Sequence, residues 1–252
     1  MSKIILITGA TSGFGKAIAM KFAENGHNLI ITGRRKVELE SYAHEIREQF
    51  KVSVLPLSFD VRKLEECEQA IQSLGDEWNP IDVLVNNAGL AVGLQPIHEG
   101  VVDDWERMID TNVKGLLYMT RLISPMMVER KQGHIINIGS VAGKEVYPNG
   151  NVYCGSKFAV DAITKGMRID LLPYNIKVTQ IAPGAANTEF SVVRFKGDQE
   201  RADSVYKGFT PLNASDVADA VYYVTTLPAH VNVNDLVLMP TAQASSMHFN
   251  KK

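Results

Sequence analysis

Cysteine is nearly missing from the sequence: Cys67 and Cys154 stand far apart and without ligand-like spacing. That excludes a disulfide framework and gives no sign of a zinc or other metal site, and a reducing cytoplasm fits. An excess of charge of either sign is also missing, with 26 basic against 28 acidic side chains and a formal net charge of −2. No general attraction to nucleic acid is expected, and the partners should be small molecules. Long apolar runs are lacking too. The first, Ile4 to Ile7, ends at Thr8-Gly9 and is too short for a signal peptide, and none later approaches the roughly 20 residues that span a bilayer. The sequence therefore predicts a chain neither exported by that route nor embedded in a membrane, with a cytoplasmic location. Repeats, low-complexity tracts and linkers are absent as well, so residues 1–252 are expected to form one large α/β domain.

What is present is a regular alternation. Short β-branched runs at Lys3-Ile7, Asn28-Thr32, Ser53-Leu57, Asp82-Asn86, His134-Ile138, Lys177-Ile181 and Leu236-Leu238 are separated by longer segments, most of them of helical period. Strands buried on both faces read as continuously apolar, as Ile4-Ile5-Leu6-Ile7 and Val83-Leu84-Val85 do. The expected fold is a Rossmann-type, doubly wound parallel sheet with helices on both faces. Right-handed crossovers then gather the loops after the strands along one rim, where ligands of such folds bind. Pro183 to Gly208 is long, polar and irregular, which marks it as a functional or mobile loop.

After the first strand comes Thr8-Gly9-Ala10-Thr11-Ser12-Gly13-Phe14-Gly15, and then Lys16 to Phe22 with helical spacing. Glycines allow a tight turn and close approach of a pyrophosphate, while a helix N-terminus supplies free N–H groups and partial positive charge. Gly9, Thr11, Ser12, Gly13, Phe14 and Gly15 are thus candidate dinucleotide contacts, although G-x-x-x-G-x-G departs from the common G-x-G-x-x-G. At the end of the second strand, where NAD-selective folds place a carboxylate, the chain reads Thr32-Gly33-Arg34-Arg35-Lys36. Arg34 and Arg35 suit a 2'-phosphate, so NADP(H) is the expected cofactor.

Three further segments fall on the same rim: Asn86-Asn87-Ala88-Gly89, Gly139-Ser140 and Tyr153-Cys154-Gly155-Ser156-Lys157. Four residues apart on a helix, Tyr153 and Lys157 share a face. Carbonyl reduction by hydride transfer builds negative charge on oxygen and needs a positioned acid; a phenol is too weak an acid at neutral pH unless a nearby ammonium such as that of Lys157 strengthens it. Ser140 is suited to hydrogen-bond the substrate oxygen, and Asn112 to hold a water that carries protons to solvent.

The assembled set of T-G-x-x-x-G-x-G, N-N-A-G, Ser140, Y-x-x-x-K and Pro183-Gly184 resembles the short-chain dehydrogenase/reductase family over essentially the whole chain. The resemblance implies a sheet of seven parallel strands and frequent tetramers. It assigns Asn112, Ser140, Tyr153 and Lys157 to the catalytic tetrad, with Tyr153 and Lys157 also touching the cofactor. Asn87, Ala88 and Gly89 match the cofactor wall, Asp60 and Val61 the adenine contact, and Pro183 and Gly184 the segment beside the nicotinamide. Thr188 joins the cofactor contacts.

The last third, in Thr188 to Ser191, Val193 to Asp198, Leu227 to Asn232 and Met239-Pro240-Thr241, resembles the subgroup of NADP-dependent 3-hydroxy acid dehydrogenases. That implies short acids of the serine and 3-hydroxypropionate type, with sulfoacetaldehyde reduction to isethionate as the alternative. A 3-oxoacyl carrier-protein reductase and a non-catalytic NADPH sensor are the more distant readings. An acidic substrate needs a cation near the chemistry. Arg194, assisted by Lys196, stands in the covering loop, residues 184–210. Tyr147, Tyr206 and His248-Phe249 of the C-terminal tail, residues 240–252, are further candidates for lining the substrate pocket.

Overall fold

The seven apolar runs become seven parallel strands, and the helices fill the intervals between them. The computed structural model describes residues 2–252. The strands are β1 (Ile4–Ile7), β2 (Asn28–Gly33), β3 (Val54–Ser58), β4 (Ile81–Asn86), β5 (Gly133–Ile138), β6 (Ile176–Pro183) and β7 (Asp235–Leu238), in sheet order β3-β2-β1-β4-β5-β6-β7. The helices are α1 (Gly13–Glu24), α2 (Lys36–Phe50), α3 (Leu64–Gln72), α4 (Val102–Ile109), α5 (Leu116–Arg130), α6 (Asn151–Asp170), α7 (Phe190–Arg194), α8 (Gln199–Ser204) and α9 (Ala214–Thr226). Strand order reverses between β1 and β4, and that switch point opens a crevice at the carboxyl ends of the strands.

Side-chain alternation divides the core into two layers. Ile5, Ile7, Leu29, Ile31, Val83 and Val85 pack with Ile18 and Phe22 of α1, Ile46 of α2 and Val221 of α9. Ile4, Leu6, Ile30, Leu84 and Ile135 pack on the other face with Cys67 of α3, Ile123 of α5 and Val160 of α6. Both faces being covered explains the continuous apolar runs. Residues 184–210, expected to be irregular, instead contain the short helices α7 and α8. Helices this short are marginal on their own, so they are held by contacts that the local sequence does not announce. No helix among the described residues is long and apolar enough to cross a membrane.

Candidate active site

A cleft of about 400 Å³ runs along the switch point. Its walls include Gly9, Thr11, Ser12, Gly13, Phe14, Arg34, Arg35, Asp60, Val61, Asn87, Ala88, Gly89, Tyr153, Lys157 and Thr188, which the sequence had separated by up to most of the chain. Ser12 precedes α1 in extended conformation and its side chain caps no amide, so the first N–H groups of the helix are left for a ligand. Gly9, at φ +68°, has its backbone so near Ala88 that a Cβ would stand 3.0 Å from Ala88 Cα. These features form a cradle for a pyrophosphate. Gly15 serves differently: a Cβ there would lie 2.3 Å from the Gly9 carbonyl oxygen, so this buried glycine lets the helix pack onto the turn and does not line the cleft. Thr8 ties the opposite wall to the turn, its hydroxyl accepting from the amides of Asn87 at 3.0 Å and Ala88 at 2.9 Å.

Arg34 and Arg35 sit at the far end of the cleft, exposed at the start of α2. Arg35 donates to the Thr11 hydroxyl at 3.1 Å and faces Glu189 at 3.7 Å, a bond that ties the glycine turn to the covering loop. Asp60 is already engaged by Arg62, whose guanidinium and amide give four contacts of 2.6–3.1 Å to its two carboxylate oxygens. Burial works against this carboxylate, but Arg62 outweighs it and holds Asp60 below the usual carboxylate range. With its acceptor positions filled, Asp60 shapes the adenine end through Arg62 and its own backbone. Arg62 escaped sequence reasoning, as did Gly33, which leaves room for the Thr11 methyl.

At the chemical end, α6 presents Tyr153 and Lys157, both buried. A polar chain fixes α6 to the sheet: the Asn86 side chain donates to Asn137 Oδ1 at 2.9 Å, and Asn137 Nδ2 donates to Thr164 Oγ1 of α6 at 2.9 Å. Lys157 donates to the Ile138 carbonyl at 2.9 Å, and burial pulls its ammonium down to about 8. Burial, reinforced by Tyr147, pushes the Tyr153 phenol above its ordinary value, and Arg194 and Ser140 oppose that rise. Arg194 offsets part of the burial, while the Lys157 Nζ is directed to the Ile138 carbonyl and lies 6.0 Å from the phenol ring centroid. Ser140 Oγ accepts from Ala142 N at 3.1 Å and donates to the Pro183 carbonyl at 3.4 Å, so the end of β5 and the end of β6 meet at the phenol.

Asn112 lies in a π-helical turn, Asp110–Gly115, between α4 and α5. Its amide is spent on the Leu90 backbone at 2.8 and 2.9 Å and on Ser156 Oγ at 3.0 Å. Both amide hydrogens of Asn112 are thereby committed within the protein.

Arg194 reaches the phenol from α7 but, like Tyr147, Asn112, Ser140, Pro183 and Gly184, stands behind the walls of the cleft and does not line it. Its guanidinium stands 5.1 Å from the Tyr153 ring centroid, 5.4 Å from Tyr147 and 5.6 Å from Phe190, and it donates to the Tyr147 hydroxyl. Its Nε is buried with no partner. Lys196 departs from expectation: its ammonium is 2.7 Å from the buried Asp104 carboxylate and it does not line the cleft. Tyr206 and the tail also depart. Tyr206 donates to the Ala186 carbonyl at 2.7 Å and the Phe249 ring packs at a tilt 5.0 Å from Phe209, both holding the loop, while His248 bonds Ser245 within the tail; none lines the cleft. Gln243 of the tail accepts from Ala185 N at 2.8 Å and crowds Gly184, where a Cβ would lie 2.4 Å from its oxygen. Pro183 and Gly184 are therefore fixed from behind by the tail.

The short chain dehydrogenase family model matches residues 3–199. The chain belongs to this family. Among short-chain dehydrogenases, it is 49% identical over 242 residues to the NADP-dependent 3-hydroxy acid dehydrogenase YdfG of Escherichia coli K12, covering 96% of each protein. It is 47% identical over 247 residues to sulfoacetaldehyde reductase 2 of Chromohalobacter salexigens, covering 98% of this chain and 97% of that protein. The fold superposes on the closed form of serine dehydrogenase complexed with NADP+ with a TM-score of 0.92 and 47% identity over 99% of both chains.

Proposed function

We propose that the chain is an NADP(H)-dependent oxidoreductase that interconverts short 3-hydroxy acids, of the serine and 3-hydroxypropionate type, with their oxo or semialdehyde forms. The observation that carries the reading is the Arg194 guanidinium, half-buried and packed against Tyr153, with a buried Nε that has no partner. A buried donor without a partner is costly, and a carboxylate seated there satisfies it beside the phenol. The similarity to relatives named for 3-hydroxy acids and for NADP supports the same assignment.

When bound, the cofactor supplies or accepts the hydride. The α1 amides and Gly9 hold its pyrophosphate, Arg34 and Arg35 its 2'-phosphate, and Asn87 to Gly89 flank it. Thr188 and the Pro183-Gly184 segment close the nicotinamide end. Tyr153 gives its hydroxyl proton to the substrate oxygen in reduction and takes it back in oxidation. Ser140 orients that oxygen, and Arg194 holds the acid group while favouring the phenolate. Lys157 fixes the cofactor's ribose and, through the Asn112 backbone, connects the phenol to solvent. Tyr147 aims Arg194. A loop at 184–210, a tail at 240–252, a homotetramer and a cytoplasmic location complete the proposal.

Reduction of sulfoacetaldehyde is the second reading, favoured by the same guanidinium, whose fork fits sulfonate as well as carboxylate, and by the similarity to sulfoacetaldehyde reductase 2. A panel of short hydroxy acids, their aldehydes and isethionate, each followed by NADPH absorbance and ranked by kcat/KM, tests both. A carboxylic acid leading the panel supports the first reading and isethionate with sulfoacetaldehyde the second. A flat response to charged and uncharged compounds rejects both.

A further inference from the structure

Helix α7 ends in a left-handed pair. Lys196 has φ +54° and Gly197 φ +95°, and their amides donate to the Val193 and Val192 carbonyls at 3.1 and 2.9 Å. Glycine adopts this region freely, whereas lysine adopts it at a cost, which draws attention to what its side chain gains. The turn carries Lys196 back across the loop to Asp104 of α4, where Nζ and Oδ2 are 2.7 Å apart, an ion contact whose angles leave Oδ2 without a formal hydrogen bond. The two ends of this contact are unlike: the lysine side chain is 54% exposed and the aspartate 4%. The other cation near Asp104 is Arg107, at 3.9 Å.

Gly93 completes the joint. Its N–H donates to the Arg194 carbonyl at 3.0 Å, and a Cβ on it would stand 2.9 Å from Asp104 Oδ2. The backbone of Arg194 and the head of Lys196 are therefore both fastened at the junction of Gly93 and Asp104. The same junction borders a small cavity that Tyr153 and Arg194 also line. In the closed loop Lys196 stands at the edge of the solvent and Asp104 is enclosed, so the ion pair compensates the burial of the carboxylate.

We propose that Asp104 is a positioning residue, a fixed socket into which Lys196 latches the α7 segment so that Arg194 is presented to the substrate anion against Tyr153. The inference rests on the reading of Arg194 as the anion anchor. It gives Lys196 a role without substrate contact.

The test uses the full-length enzyme saturated with NADP and compares Lys196→Met, Asp104→Asn, the double variant and Lys196→Arg, with 3-hydroxypropionate and an uncharged short alcohol as substrates. Each single variant should raise KM for the acid about tenfold, lower kcat less, and leave NADPH affinity within about twofold. The double variant should be no worse than the worse single, because one contact is lost once, and Lys196→Arg should recover most of the loss. Hydrogen exchange over residues 190–198 should quicken in each charge-removing variant. Losses that multiply in the double variant, or a full Lys196→Met loss in the Asp104→Asn background, would show direct contact of Lys196 with substrate and overturn the latch. Should Asp104→Asn fail to fold, Lys196→Met alone decides at an exposed position: unchanged KM with unchanged exchange rejects the proposal. The anchor reading fails separately. Coupled losses that are equal for acid and alcohol keep the latch and remove the anchor, whereas multiplying losses confined to the acid do the reverse.

Discussion

The nucleotide end and the substrate end of the cleft are built on different principles. The first is made of backbone: an uncapped helix start, glycines that bring chain segments together, and a threonine that ties two strand ends. The second is made of side chains from distant segments, with an arginine from α7 caged by three aromatic rings and a lysine seated on an aspartate of α4. On the proposed reading, cofactor binding belongs to the rim of the sheet, and substrate selection to the loop that carries Arg194.

Removing the phenol hydroxyl should have the largest effect. Tyr153→Phe should abolish turnover while leaving NADPH affinity nearly intact, since the proton donor is lost from the substrate end alone. Lys157→Ala should damage both ends, lowering cofactor affinity as well as the single-turnover rate. Substantial activity in Tyr153→Phe would break the division, because the acid would then lie elsewhere.

Replacing Arg34 and Arg35 together by uncharged residues should act chiefly on the nucleotide end. Charge-assisted bonds of about 1.5 to 3 kcal/mol each predict a loss of one to several orders of magnitude for NADP and little change for NAD. Equal losses with the two cofactors, measured as kcat/KM, would assign these arginines to folding or to the half of the nucleotide that both share. Arg35 also contacts Thr11 and Glu189, so a single Arg35 variant should disturb the loop more than a single Arg34 variant.

The smallest effect lies outside both ends. His134 is buried in β5 against Thr179 Oγ1 at 2.7 Å, and burial pulls its imidazole down to about 3. The unfolded chain takes up this proton near pH 6.5 and the folded one near 3, so the residue leaves stability untouched at neutral pH and erodes it as pH falls between those values. The slope contributed is at most about 1.4 kcal/mol per pH unit. Urea unfolding of the protein and of His134→Gln from pH 7 to 4 should show the variant losing stability less steeply; parallel curves would mean that the carboxylates alone set the acid response.

The same contrast explains how much of the molecule could be read from its sequence. All seven strands fall within a residue or two of their apolar runs, because the inner strands are buried on both faces and the edge strands β3 and β7 keep short β-branched or leucine-rich runs. The glycine turn, the N-N-A-G wall and the Tyr153-Lys157 spacing were legible because each requirement falls on neighbouring residues. Arg62 filling Asp60, Tyr147 holding Arg194 and Asp104 receiving Lys196 were not legible, since each pairing depends on how the polar ends of side chains meet after folding. Lys196 was read as a second cation for the substrate because charge and loop position are visible in a sequence and direction is not. The helices α7 and α8 were hidden likewise, being too short to show a period.

The central claim is that Arg194 anchors the acid group beside the catalytic phenol, and one ratio tests it. In Arg194→Ala, kcat/KM should fall about thirty-fold to over a hundred-fold for 3-hydroxypropionate, the equivalent of roughly 2 to 3 kcal/mol, and much less for an uncharged short alcohol. Part of the loss should appear in kcat, because the guanidinium also favours the Tyr153 phenolate. An equal fall for the charged and uncharged substrates would contradict the account and leave Arg194 as a residue that merely supports the loop.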